Sequence, residues 1–196
     1  MDSTGWGSPP APGLLTGREP IERAGASLQD FWAWSMSDLR TTTVRSLLTE
    51  FLVARAVGAA TRPRVEWDAY DVLTPDGARL EVTSGAYLQS WPQSRLSTIQ
   101  FGGLSARTWS ESDGCSAAGS YNADAYVFAV LTAAEHDRYD ALDVEQWSFW
   151  VLPRHTVAAT RQRTMRLSRV EVLAGPAVGY TDLAERIREV VKGDRS

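Results

Sequence analysis

Three acidic residues, Glu50, Asp71 and Glu81, stand where a carboxylate is hard to explain as ordinary surface. Hard oxygen donors of this kind suit Mg²⁺ or Mn²⁺, ions that polarise a phosphodiester and activate water. The second half of the chain offers the opposite charge. Arg154, Arg161, Arg163, Arg166 and Arg169 fall within residues 154–169 with no acid among them. Such a segment either neutralises phosphates and positions a duplex or forms a solvated basic face. Arg95 and Arg107 flank a further extended run and are weaker phosphate candidates.

The acids depend on the elements that carry them. A helix is expected from an N-cap at Ser37, with Asp38 in its first turn and Gly58 near its end. Its apolar face reads Leu39, Val44, Leu47, Phe51 and Ala54. Turning about 100° per residue places Glu50 beside Ala54, Val57 and Leu39, inside that stripe. A carboxylate there is costly without a partner; it either reaches solvent or an arginine from the stripe's edge, or belongs to a site. Two extended runs, Val65–Thr74 and Ala78–Ser84, surround Pro75-Asp76-Gly77. A three-residue loop with Gly77 left-handed fits this hairpin. Thr74 then faces Ala78 and Asp71 lies opposite Glu81, while Tyr70, Val72, Leu80 and Val82 share the core face. Opposed carboxylates with Cβ atoms about 5 Å apart repel, and a divalent cation would turn the repulsion into a ligand pair. A one-residue slip would separate them. Glu66, Asp68 and Asp76 read as solvated acids.

Around these elements the chain forms one domain, residues 27–196, after a flexible tail at 1–26 that holds five glycines and four prolines. Leu28–Met36 reads as a short helix or ordered turn, Ser97–Phe101 as a short strand and Trp109–Asn122 as a loop. Ala125–Leu131 is apolar throughout, as a buried central strand should be. Gln146–Leu152 is a second aromatic strand closed by Pro153. Asp182–Lys192 puts Leu183, Ile187, Val190 and Val191 on one helical stripe. The fold class is α/β, a mixed central sheet flanked by helices.

Composition narrows the function classes. With 196 residues, 43% hydrophobic and 22% charged, the chain is neither disordered nor collagenous. No apolar run approaches the ~20 residues of a membrane span, so no membrane partner is expected. The start, Met1-Asp2-Ser3, lacks the order of a secretory signal. A lone Cys115 excludes an internal disulfide and fits a cytoplasmic location. The net charge of −4 excludes a polycation, so nucleic-acid binding needs a local basic patch. His136 and His155 show no zinc spacing. Trp67, Trp147 and Trp150 read as core; Trp91 and Trp109 lie near loops, where packing is favoured over base stacking.

Glu50, Tyr70-Asp71-Val72 and Arg79-Leu80-Glu81-Val82-Thr83-Ser84 resemble the helix and hairpin of the PD-(D/E)XK nuclease superfamily. The longer stretch from Trp67-Asp68-Ala69-Tyr70-Asp71 through Ala86-Tyr87-Leu88-Gln89-Ser90-Trp91 is similar to a branch found in high-GC bacteria. The likeness spans roughly residues 38–153. It implies a restriction-endonuclease-like αβββαβ core acting on DNA, double-stranded by expectation, with Mg²⁺ or Mn²⁺ as cofactor. By position it makes Asp71 and Glu81 metal ligands, Val82 a third contact through its carbonyl, and Glu50 an accessory acid. A homodimer stays open as an oligomeric state.

The superfamily motif carries a lysine two residues after the strand acid, and here that residue is Thr83. A threonine hydroxyl is no general base at neutral pH, and arginine stays protonated. The chain's single lysine, Lys192, falls in the final helix. Either Gln89, Gln93 or Gln100 holds the attacking water, or the metal alone acidifies it. The alternatives to a nuclease are a DNA-binding module that has lost catalysis at Thr83 and a protein-interaction domain.

Overall fold

The computed structural model describes residues 10, 12–65, 69–105, 109–110, 114–115 and 120–195. Glu66, Trp67, Asp68 and Arg107 lie outside them, as do the side chains of Trp109 and Cys115.

The chain opens with a two-strand ladder, β1 (Pro20–Ile21) and β2 (Ala26–Ser27), followed by α1 (Leu28–Met36). Ser27 and Asp30 cap α1 reciprocally, and Gly17, at φ +87°, leaves room for Trp32, which a Cβ there would meet at 2.9 Å. The described part of the Gly/Pro-rich stretch, expected as a flexible tail, is therefore locally folded. Ser37 ends α1 instead of starting the next helix. That helix, α2 (Thr42–Ala56), begins after Thr41 and gives way to Gly58 at φ +73°.

A four-strand sheet follows, in the order β3 (Val72–Leu73), β4 (Arg79–Ala86), β8 (Ala125–Leu131), β9 (Trp147–Pro153). β3 and β4 are antiparallel, β4 and β8 parallel, β8 and β9 antiparallel. Between β4 and β8 run β5 (Gln100–Phe101) and the paired β6 (Trp109–Ser110) and β7 (Gly114–Cys115). After β9 come α3 (Arg154–Thr160), β10 (Met165–Arg166), α4 (Leu167–Ala174) and α5 (Tyr180–Arg195). β10 pairs with β5.

The sheet is covered on both faces, which is why all seven residues of β8 are buried. On one face Leu80, Val82, Val127, Phe149 and Val151 pack with Leu52 and Val53 of α2 and Leu183, Ile187 and Val191 of α5. On the other, Tyr126, Phe128, Trp150 and Leu152 pack with Phe101, Val157, Met165 and Val170. The mixed α/β class with flanking helices is thus as expected. Among the described residues no helix lies between β4 and β8, where Ser90, Pro92, Ser94 and Ser97 are poor helix formers. Two helices, α3 and α4, occupy the arginine-rich segment. No helix among the described residues is long and apolar enough to cross a membrane.

Candidate functional site

The hairpin has the register that the turn residues demand. Val72 pairs with Leu80 and Leu73 with Arg79, Gly77 stands at φ +81°, and Thr74 N–H donates to the Ala78 carbonyl at 2.9 Å. β3 ends at Val72, and the Asp71 N–H donates to the Leu80 carbonyl at 3.0 Å instead of carrying the ladder on to Glu81. There the ladder changes character. The Val82 N–H, due to meet the backbone of Tyr70, donates instead to Asp71 Oδ2 at 2.8 Å. β3 therefore ends in a carboxylate. In an extended residue N–H and C=O point to the same side, so the Val82 carbonyl faces the same open edge.

Leu80 and Val82 face the α2 side, so Glu81 and Thr83 face the other, beside Tyr126 and Phe128 of β8. Thr83 stands on Glu81's side of the strand, as its spacing requires. Glu81 reaches toward the turn after β5, where a Cβ on Gly103 would lie 3.7 Å from its Oε1. Glu50 comes from α2 and is buried among the core-facing residues. Its carboxylate is held by Arg64, with Nε donating to Oε2 and Nη2 to Oε1. Glu50, Arg64, Tyr70 and Asp71 line one cleft between α2, the 59–65 segment and β3.

Burial and mutual repulsion leave these carboxyls reluctant to ionise. Desolvation raises Glu50, opposed by Arg64 and reinforced by Asp71. Desolvation raises Asp71 as well, against the Val82 N–H and Arg64. Among the described residues no donor compensates Glu81; burial, then the charges of Asp71 and Glu50, push it up to about 8. Three acids from three elements thus share one electrostatic neighbourhood. Hard oxygens short of positive charge are the right donors for Mg²⁺ or Mn²⁺. Among the described residues no three His, Cys, Asp or Glu side chains are gathered as a ready metal cluster; Glu50 is drawn to Arg64. The smaller set of Asp71, Glu81 and the Val82 carbonyl fits an ion that completes its shell with water and substrate oxygens.

The expected glutamines are engaged elsewhere. Gln89 Nε2 donates to the Ala86 carbonyl and Ser97 Oγ. Gln93 Oε1 accepts from Gln89 N–H, and its Nε2 donates to the Tyr87 and Arg95 carbonyls and to Ser97 Oγ. Both amides shape the loop after β4. Ala86 is five residues beyond Glu81, roughly 17 Å along an extended strand. Gln100 is exposed and pairs with Arg166 in the β5–β10 ladder. Trp91 in the same loop is 55% exposed, so packing does not account for it.

The arginines separate into two kinds. Arg154 approaches Asp124 at 3.8 Å, sharing it with Arg79, whose Nη2 lies at 2.8 Å. Arg161, Arg163, Arg166 and Arg169 are exposed, and among the described residues none of them has a carboxylate partner. Their segment is tied to the Glu81 side of the sheet: Met165 pairs with Phe101, and Leu104 N–H donates to the Arg163 carbonyl at 3.4 Å. His155 pairs with Asp194, joining α3 to α5, and Lys192 is exposed on α5.

Arg64 is the site residue that sequence reasoning missed. It lies in an irregular Pro/Arg stretch after α2, where no periodicity assigns it a face. The only pointer was that a buried Glu50 needs a cation. Among known proteins, no protein-family model matches this chain, and no curated protein is significantly similar to it.

Proposed function

We propose that this chain is a divalent-cation-dependent phosphodiesterase acting on DNA, on a divergent core of the restriction-endonuclease kind. The observation that carries this reading is the Val82 N–H donated to Asp71 Oδ2 where β3 ends, next to Glu81, whose carboxyl is pushed up to about 8 by burial and by the charges of Asp71 and Glu50. Mg²⁺ or Mn²⁺, when bound, supplies Lewis acidity and an acidified water. Asp71, Glu81 and the Val82 carbonyl hold that ion, with Glu50 as the outer acid. Arg161, Arg163, Arg166 and Arg169, tied to the same side of the sheet as Glu81, bind the phosphate backbone without reading sequence. The succession of the α2 helix and the β3–β4 hairpin supports this reading.

Thr83 favours a second reading, a DNA-binding module whose acidic site no longer cuts. Nicking of supercoiled plasmid in Mg²⁺ and in Mn²⁺ separates the two. Cutting by the wild type that is lost in Glu81→Ala supports the phosphodiesterase. A silent wild type with an active Thr83→Lys variant supports the module. Silence from both, with no retention of DNA, overturns both readings.

A further inference from the structure

The acidic site already contains a cation. Arg64 makes two contacts to Glu50, and its charge also acts on Asp71. With both of these carboxylates it lines the cleft between α2, the 59–65 segment and β3. The two partners are not equally fixed. The Glu50 side chain is 11% exposed and Arg64 37%. Glu50 is anchored in a fifteen-residue helix whose neighbouring Leu52 and Val53 are core. Arg64 hangs from an irregular segment. If one partner leaves, it is the arginine, and its planar fork is suited to phosphate as much as to carboxylate.

We propose, resting on the metal-site reading above, that Arg64 is an exchangeable counter-ion. It holds Glu50 while the site lacks a divalent cation and passes to a phosphate of the nucleic acid once that cation takes the carboxylates. No covalent bond is made or broken; the divalent cation held by Asp71, Glu81 and the Val82 carbonyl competes with Arg64 for the negative charge of Glu50 and Asp71. The exchange also puts a positive charge beside the substrate phosphate, which Thr83 cannot supply from the lysine position. Arg64 is thereby a positioning residue for both ligands.

The two halves of the exchange move in opposite directions when Arg64 is changed, which a purely structural role would not produce. Mn²⁺ binding to the full chain is measured by the loss of the free-ion electron paramagnetic resonance signal, without DNA. DNA retention is measured on a duplex in Ca²⁺. Arg64→Gln should tighten Mn²⁺ binding roughly fivefold, as expected for loss of a half-exposed competing ion pair, and weaken DNA retention. Arg64→Lys should restore retention while leaving Mn²⁺ binding near the wild-type value. Weaker or unchanged Mn²⁺ binding in Arg64→Gln overturns the proposal, and so does unchanged DNA retention. If Arg64→Gln does not fold, Arg64→Lys decides: loss of Mn²⁺ binding there makes Arg64 structural and overturns the exchange. A wild type that takes up no Mn²⁺, with Glu81→Ala identical to it, overturns the metal-site reading and this proposal with it. Mn²⁺ uptake lost in Glu81→Ala but indifferent to Arg64 overturns this proposal alone.

Discussion

Glu81→Gln should make the protein more stable at pH 8 and not at pH 4.5. Glu81 is raised from 4.5 to about 8 by burial and by the like charges of Asp71 and Glu50. Between those two values the native state holds a proton that the unfolded chain has released, so stability falls as pH rises, and the full cost is present above 8. At 1.36 kcal/mol per tenfold change in acidity the ceiling is ~5 kcal/mol. Glu81 is only partly buried, so water and relaxation reduce this to about 2 kcal/mol. Glutamine keeps the shape and removes the charge. In urea unfolding with EDTA present, the variant should gain about 2 kcal/mol at pH 8, or about 5 °C in Tm for a domain of this size. Below pH 4.5 the two proteins should be equal, or the wild type slightly better. A variant less stable at pH 8, or a gain independent of pH, would refute the claim that Glu81 is a destabilised carboxylate.

Asp124→Ala should cost about 2 kcal/mol at pH 7, because it strands the Arg79 backbone N–H and guanidinium that Asp124 accepts from. The hydrogen bonds from Arg79 hold Asp124 below its ordinary value, so this stabilisation is complete above about pH 4 and lost as pH falls through the depressed value. Urea titrations at pH 7 and pH 2.5 check this, and an equal difference at both would contradict it. Replacing Arg161 and Arg163 together with alanine should reduce the slope of log K against log salt for duplex binding by about 2; an unchanged slope would mean that neither meets phosphate. Leu80→Ala, at the fully buried centre of the sheet, should cost about 3 kcal/mol by cavity formation. A loss under 1 kcal/mol in urea unfolding would show that the core around β4 can collapse.

The hairpin was legible because several local rules agreed on it. Pro75-Asp76-Gly77 set the loop, and Val72, Leu80 and Val82 needed one face, so the pairing of Val72 with Leu80 and of Leu73 with Arg79 followed. β8 was legible for the same reason: an unbroken apolar run has few alternatives to a strand covered on both sides. The face of α2 was not. The expected stripe included Phe51, which is 53% exposed, while Arg45, Thr49, Glu50, Leu52 and Val53 are buried. Polar residues on the core side of α2 rotated the apparent stripe by about one residue. Arg45 is satisfied in part by the Arg40 carbonyl at 2.8 Å and Thr49 by the Arg45 carbonyl, contacts without any signature in the sequence. Glu50 was nonetheless singled out, because a buried carboxylate is anomalous in either register. Arg64 and the helices α3 and α4 were illegible for a different reason. Their placement follows from tertiary contacts, with Glu50, with β5 and with β9, that no local pattern encodes.

The most direct measurement of the central claim is anomalous diffraction at the manganese edge from crystals of the wild type and of Glu81→Ala grown in MnCl₂. The expected result is one strong peak at the end of β3, within 2.4 Å of oxygens from Asp71, Glu81 and Val82 by the usual limits of such ligation, and absent in the variant. Manganese bound only elsewhere, or a peak at β3 that survives the loss of Glu81, would contradict the account.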